Sequence, residues 1–393
     1  MESPPFNWPL MHDNVSRQDL DSLISYLSGD NPRLTHGPQV QQFEREWAEW
    51  AGTSESVMVN SGSSANDLTL MAFREMYGAG EVILSPLGWV SDIAAILHAG
   101  LRPVFVDIDP ITLGPASDQV LDRLSKRTRA TLVVHILGLN ALTRELVQGC
   151  QSAQVPIVED VCESHGALFE EKRCGSIGYA SNFSFYFAHH LTTIEGGAVC
   201  TNDGDFADVV RMLRSHGLVR ESRSLQKRAS FEGEFPDLNS EFIFAYAAHN
   251  NRPTELNGIL GRSQLPRLDS NIARRKSNFS RFMSQLDVSK YRNNYDIKAS
   301  SNYAFIIVLQ DPDWELRNRV EETFRNTGIE FRRGLSGGGN QLRQPYLKPF
   351  LGDFSPTDFP NTEHVHHFGW YVGNHPGVSG PEIDRLCDIL NSV

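Results

Sequence analysis

Four short runs in this sequence hold the residue types that acid–base and anion-binding chemistry needs. The first, Asn60-Ser61-Gly62-Ser63-Ser64-Ala65-Asn66, follows an apolar strand-like run and opens a helical one. Backbone N–H groups and hydroxyls gathered at a helix N-terminus suit a phosphate, although a plain Ser N-cap fits the same residues. The second, Val158-Glu159-Asp160-Val161-Cys162-Glu163-Ser164-His165-Gly166-Ala167, ends a strand in carboxylates. Asp160 could hold a positively charged ring nitrogen there and Glu163 could hydrogen-bond a phenolic oxygen on the same ring; an N-cap Asp with a capping Glu three residues later fits equally well. The third, Ser184 to Gly197, carries His189-His190. A histidine at a strand end is by default a satisfied structural residue, and an acid or base when it faces a reacting group. The fourth, Leu213-Arg214-Ser215-His216-Gly217, places a basic residue before a C′ glycine, which end-capping alone explains.

The elements that must position these runs alternate between helical periods and short apolar stretches, the signature of an α/β fold with a mainly parallel sheet. Strands are expected at Val57–Asn60, Glu81–Ser85, Pro103–Asp107, Thr131–Leu137, Pro156–Glu159, Asn182–Phe187 and Ala198–Thr201, with helices such as Val40–Ala51, Ser64–Met76, Val90–Ala99 and Leu142–Ala153 between them. Val40, Phe43, Trp47 and Trp50 share one stripe of the first of these, and Gly52 stands where a C-cap glycine belongs. A polar stretch from Arg214 to about Asn251 is too long for an inert connector. A helical segment from Pro253 to about Leu286, kinked or broken near Pro266, leads into a smaller α+β pattern: a strand at Tyr303–Leu309, a helix near Trp314–Thr327 and a strand near Ile329–Arg332. Two domains follow: 14–265 as a large α/β unit, and 266–393, joined by the N-terminal 1–13, as a small one.

Composition narrows the partners. The 393 residues carry 36 Lys and Arg against 48 Asp and Glu, a net charge of −12, which disfavours a broad polyphosphate-binding face, so no nucleic-acid partner is expected. No apolar stretch approaches the roughly 20 residues of a membrane span, and the start of the chain lacks a basic run followed by an apolar core, so a cytoplasmic protein is expected. The 5 cysteines are scattered, without a C-x-x-C pair, which argues against a disulfide framework, a zinc knot and a cysteine-bound iron–sulfur cluster. His364, His366 and His367 alternate as in a strand or loop and no metal site is assigned to them; Ser336-Gly337-Gly338-Gly339 lacks the Lys-Ser/Thr of a P-loop and is expected to form a flexible lid.

Taken in order and spacing, the four runs resemble the sugar aminotransferase/dehydratase family of pyridoxal-phosphate enzymes, from about Trp8 to the Val372-Gly373-Asn374-His375 run. The resemblance implies the aspartate-aminotransferase fold, fold type I, with a large parallel-sheet domain and a smaller α+β C-terminal domain. It also implies roles: Asp160 on the pyridinium nitrogen, Glu163 facing the ring oxygen, Trp89 stacked on the ring, and Ser63, Ser64 and Ser184 around the phosphate. Asn250 would reach that phosphate from a neighbouring subunit, making a homodimer with shared active sites. His216, Arg220 and Arg332 are candidates for substrate or carboxylate contact.

The departure from the family's aminotransferases is at residue 189, where they carry the lysine that tethers the cofactor; here it is His189, and no lysine occurs between Lys172 and Lys227. The cofactor, pyridoxal or pyridoxamine 5′-phosphate, is then expected to be held noncovalently. With Trp89, the His-His pair resembles the family's 3-dehydratases of nucleotide-linked 4-keto-6-deoxy sugars, a GDP-linked mannose derivative being the preferred substrate. L-Glutamate would be the amino donor and His189 the base, its ordinary imidazole pKa meeting that need without perturbation. The alternatives are a CDP- or dTDP-linked sugar, a nucleotide-sugar aminotransferase, or a catalytically silent binding protein of the same fold.

Overall fold

The computed structural model describes residues 6–352 and 354–393, so residues 1–5 of the N-terminal segment assigned to the small unit lie outside the described residues. The strands in chain order are β1 (Glu55–Val59), β2 (Glu81–Leu84), β3 (Arg102–Phe105), β4 (Thr128–Val134), β5 (Ile157–Asp160), β6 (Leu168–Phe169), β7 (Lys172–Arg173), β8 (Ala180–Ser184), β9 (Gly197–Thr201), β10 (Ala304–Val308), β11 (Phe331–Arg333) and β12 (Gly369–Gly373). Seven of them form one sheet in the order β1-β9-β8-β5-β4-β2-β3. The pairings β8–β5–β4–β2–β3 are parallel, while β9 runs antiparallel between β1 and β8. β2, β4, β5, β8 and β9 are almost wholly buried, as strands covered on both faces must be.

The helices are α1 (Arg17–Leu27), α2 (Pro38–Ala51), α3 (Gly62–Tyr77), α4 (Val90–His98), α5 (Ser117–Arg123), α6 (Arg144–Ser152), α7 (Gly204–Arg214), α8 (Leu225–Glu234), α9 (Glu255–Gln285), α10 (Trp314–Thr327), α11 (Pro360–Phe368) and α12 (Gly380–Asn391). One sheet face packs Leu68 and Phe73 of α3 with Ile93 and Ile96 of α4 and Phe206 of α7. α2 covers another part: Val40, Phe43 and Trp47 are buried with Phe183 and Phe185, and Gly52 closes the helix at φ 87°. Trp50 remains only partly buried and donates through Nε1 to Asp269.

β10, β12 and β11 form a second, antiparallel sheet, whose core of Phe305, Ile307 and Trp370 is continuous with Leu87, Ile136 and Leu137 from the loops of the large sheet. Two expectations are corrected. α9 runs unbroken from Glu255 to Gln285 through Pro266, because packing along its length, from Leu260 and Leu268 to Phe279 and Phe282, outweighs one missing backbone donor. The His364–His367 segment is helix, not strand or loop: Thr362, Val365 and Phe368 are its buried positions, three residues apart, and Pro360 occupies its first turn.

Candidate active site

The functional runs converge because the sheet brings their strands to one edge. β2, β5 and β8 end there, α3 begins there, and β9, running the other way, starts there. That edge is where open α/β sheets hold ligands. A cleft of about 270 Å³ opens on it, lined by Ser61, Gly62, Ser63, Trp89, Asp92, Asp160, Glu163, Ser184 and His189, and on the far side by Tyr303, Ser336 and Tyr371. No lysine is among the lining residues.

At the mouth of α3, Ser61 is the N-cap and its hydroxyl accepts from the Ser64 N–H at 3.1 Å. Ser63 is exposed, and the Ser64 hydroxyl turns to Asn60 Oδ1 at 2.6 Å. A Cβ on Gly62 would come 2.5 Å from Ser184 Cβ and 3.0 Å from Cys162 Sγ, so only glycine keeps this cradle open. Free N–H groups at a helix start beside two hydroxyls suit a phosphate.

Asp160, the last residue of β5, accepts from the Cys162 N–H at 2.9 Å and from Asn66 Nδ2 at 2.9 Å. Its neighbour Asp92 is buried in the first turn of α4 and accepts from the backbone N–H of Trp89 at 2.9 Å, which fixes where that indole starts. Trp89 itself is 54% exposed and overhangs the cleft. Glu163 accepts from the Leu137 N–H and from Ser336 Oγ, each at 3.1 Å, and burial lifts its carboxyl to about 7.

His189 is 8% exposed, its Nδ1 buried without a partner, with Tyr303 at 5.5 Å and Tyr186 at 5.9 Å between ring centroids. Its backbone carbonyl accepts from Asn14 Nδ2 at 2.7 Å. Burial lowers its pKa to about 4, against the pull of Asp160 and with the push of the buried Arg275. The expectation of an unperturbed imidazole is therefore corrected: the surroundings exclude the cation. His165, 6.1 Å away, and His190 are likewise driven well below the ordinary value by burial.

The structure gathers Ser63, Trp89, Asp160, Glu163, Ser184 and His189 in one cleft and leaves five candidates outside its lining. Ser64 adjoins the cradle through Ser61. Asn250 is exposed, its Oδ1 accepting from the Arg252 N–H. His216 is exposed at φ 63°, and Arg220 is engaged with Glu241 and the ring of Phe242. Arg332 lies opposite Tyr371 in the β11–β12 register, hence on the same sheet face as a lining residue. The Ser336–Gly338 run is a 3₁₀ turn packed into the wall and not a lid: Ser336 is buried and a Cβ on Gly337 would lie 2.0 Å from the Gly88 carbonyl.

The three α11 histidines face different partners, His364 the Leu309 carbonyl, His366 the Asn340 N–H and His367 Glu363, so they do not converge. Among the described residues one trio, His135, Glu159 and Cys174, has atoms close enough for a metal. Glu159 already accepts from His135 and from the N–H groups of Gly175, Ile177 and Gly178. Sequence reasoning missed Asp92, Tyr303 and Tyr371. Only the spacing of Asp92 from Trp89, an N-cap and its N3 acid, carried any trace of the first.

Residues 18–391 match the model of the DegT/DnrJ/EryC1/StrS aminotransferase family, and the chain belongs to that family. It is 29% identical to the GDP-4-keto-6-deoxy-D-mannose 3-dehydratase of Yersinia pseudotuberculosis over 390 residues, 98% of each chain. Its structure superposes on the E. coli GDP-4-keto-6-deoxy-D-mannose-3-dehydratase with bound hydrated PLP with a TM-score of 0.87 at 27% identity, covering 98% of this chain and 100% of the other. A histidine-to-asparagine variant of such a dehydratase, with bound GDP-perosamine, matches with a TM-score of 0.87 at 30% identity over 98% of this chain and 100% of that one. The fold is that of the PLP-dependent aminotransferases.

Proposed function

We propose that this protein is a nucleotide-sugar 3-dehydratase that uses noncovalently held pyridoxal/pyridoxamine phosphate and L-glutamate to remove the C3 hydroxyl of a 4-keto-6-deoxy hexose, with the GDP-linked mannose derivative as substrate. The observation that carries this reading is His189: an imidazole, not an amine, stands in the cleft, and the cleft lining has no lysine. The relatives' names supply the substrate class. A transaminase would need a tethering amine in reach, and a silent protein would not need the remaining cradle.

The residues present fit the cofactor. Gly62 leaves clear the space that a Cβ would fill, and Asn66 Oδ1 and His189 Nδ1 are buried polar atoms without partners. Ser63, Ser64 and Ser184 would hold the phosphate, Asp160 the ring nitrogen, Glu163 the ring oxygen, and Trp89 the ring face. When bound, the amine form would supply the nitrogen that condenses with the C4 ketone and a conjugated system that relays the electron pair freed by proton removal toward C3, whose hydroxyl leaves with its bonding pair and a proton as water.

This chain's own residues then manage protons and water. His189, neutral at working pH because burial opposes its cation, has a ring that makes no hydrogen bond to the described residues, so a ring nitrogen is free to accept a proton and return it to the departing hydroxyl. The push of Arg275 behind it disfavours holding that proton, which favours its return. Asp160, at the end of β5, would face the ring nitrogen and favour its protonated form. Tyr186, Tyr303 and Trp89 wall the base from bulk water. Asn250, His216 and Arg220 sit on an exposed stretch with Phe242 at 56% and Phe244 at 57% exposure, which suits contact with a second copy carrying them to its site. Arg332 is placed to meet the sugar nucleotide or the donor's carboxylate.

Incubation with pyridoxal phosphate, L-glutamate and GDP-4-keto-6-deoxy-D-mannose tests the reading by mass spectrometry. A sugar lighter by one oxygen, with 2-oxoglutarate and ammonia released, is the expected result; a 4-amino sugar would overturn it.

A further inference from the structure

Two carboxyl groups meet behind the place assigned to the ring nitrogen, and no cation stands between them. Asp92 and Asp160 are 1% and 4% exposed. Asn66 joins them: its Nδ2 donates to Asp92 Oδ1 and to Asp160 Oδ2, each at 2.9 Å, while its own Oδ1 finds no partner. No arginine, lysine or histidine forms an ion pair with either acid among the described residues, although the buried acids Asp19, Glu44 and Asp208 are so paired. Two adjacent buried carboxylates without a counter-charge cannot both ionise, so one of them carries a proton. Asp92 is the one that also anchors Trp89, by accepting its backbone N–H.

We propose that Asp92 is a positioning residue that holds a proton against Asp160, and that with Asn66 it couples the carboxylate facing the cofactor's ring nitrogen to the aromatic residue over its face. This rests on the cofactor assignment above. The neutral acid lets Asp160 keep a single charge aimed at the ring, donates a hydrogen bond to it, and holds α4 so that Trp89 stays over the cleft. In a site without a covalent tether, such alignment matters more than in one with a lysine. Burial and the Asp160 charge both push the Asp92 carboxyl well above the ordinary range, with Glu163 adding to the push. The other groups facing it, Cys162 and Tyr346, are neutral acids whose own ionisation its charge would oppose.

The test compares Asp92→Asn, Asp92→Ala and Asn66→Ala with the wild type in two measurements: the dissociation constant for pyridoxal phosphate by absorbance titration, and urea stability of the cofactor-free protein from pH 6 to 9. An amide keeps the accepting oxygen toward Trp89 and a donor toward Asp160 while giving up the acceptor that Asn66 Nδ2 uses, so Asp92→Asn should bind within a fewfold of the wild type. Each alanine variant should bind about ten- to a hundredfold more weakly, the loss of a hydrogen bond to a charged group. Because the folded-state pKa of Asp92 is raised, its protonated form contributes stability at low pH that fades as pH rises. Asp92→Asn should therefore gain on the wild type toward pH 9. If Asp92→Asn loses the cofactor as Asp92→Ala does, or if its stability falls with pH in parallel with the wild type, the proton is not there and the proposal fails. Failure of the wild type to bind pyridoxal phosphate would instead overturn the cofactor assignment, and the pH series on the cofactor-free protein would still decide the protonation of Asp92.

Discussion

The guanidinium of Arg214, at the end of α7, reaches the carboxylate of Glu44 on α2, 170 positions earlier, at 2.7 Å, and both side chains are 3% exposed. The same nitrogen donates to the Met58 carbonyl at 2.8 Å, while Glu44 accepts from the Met58 N–H at 2.9 Å, so one ion pair fastens α2, β1 and α7. β1 leads directly into the Ser61–Ser64 turn, and the pair thereby fixes where the helix N-terminus points. Removing Glu44 strands the buried Arg214, whereas removing Arg214 leaves Glu44 with the half-exposed Arg223 at 3.3 Å as its remaining ion-pair partner among the described residues. Arg214→Met is therefore expected to destabilise by about 2–4 kcal/mol, short of a fully stranded charge, read from urea unfolding; a change within about 0.5 kcal/mol would mean the Arg214–Glu44 pair contributes nothing. Glu44 is held below its ordinary pKa despite burial, by Arg214 and the Met58 N–H, so this stability is present above the unfolded pKa and is lost as pH falls.

Glu163 has the opposite sign. Its folded pKa of about 7 stands above the ordinary 4.5, so its protonated form contributes stability at low pH that is lost as pH rises through about 7. Cofactor-free Glu163→Gln should lack that decline, and the difference from wild type between pH 5 and 8 should reach roughly 2–3 kcal/mol. Parallel curves for the two proteins would show that Glu163 is already ionised.

The cradle at Gly62 gives a steric test. A methyl group there meets Ser184 Cβ and Cys162 Sγ inside contact distance. Gly62→Ala should cost about 1–3 kcal/mol of stability and reduce affinity for pyridoxal phosphate about tenfold or more, measured by titration of the folded variant. Unchanged affinity would place the phosphate elsewhere.

These tests fall on residues whose legibility differed for physical reasons. Asp160, Glu163, Ser184 and His189 were readable because each sits at a strand end within a local run, where chain order dictates position. Asp92, Tyr303 and Tyr371 reach the cleft through tertiary packing; the local spacing of Asp92 from Trp89 marks it as a helix-start acid but not as the neighbour of Asp160, and nothing local marks the two tyrosines. The same limit explains the helix containing Pro266, where packing on both sides overrode a local breaker, and α11, where the polar–apolar–polar alternation of His364, Val365 and His366 masked the three-residue spacing of Thr362, Val365 and Phe368. The expected strands held to within a few residues, since buried strands announce themselves as apolar runs, whereas β12, at the centre of the second sheet, and the two-residue β6 and β7 were not foreseen.

His189 admits a direct exchange of chemistry. His189→Lys should restore a tether: borohydride treatment followed by intact mass should reveal a phosphopyridoxyl adduct in the variant and none in the wild type, and dehydration should fall at least about a hundredfold. If the wild type also forms the adduct, some lysine reaches the cofactor and the noncovalent reading is lost. If the variant dehydrates at the native rate, His189 is not the base.

Sharing of sites between two copies can be tested by complementation. If Asn250 serves the partner's cleft, His189→Asn and Asn250→Ala each inactivate both sites of their own dimer. In a mixed dimer, one site combines both lesions and the other combines His189 of one copy with Asn250 of its partner, and is intact. Random exchange makes half the dimers mixed, so an equimolar mixture should recover about a quarter of wild-type activity. Asn250 acting within its own chain would give the mixed dimers no intact site, and mixing would recover nothing beyond the residual activities of the two variants.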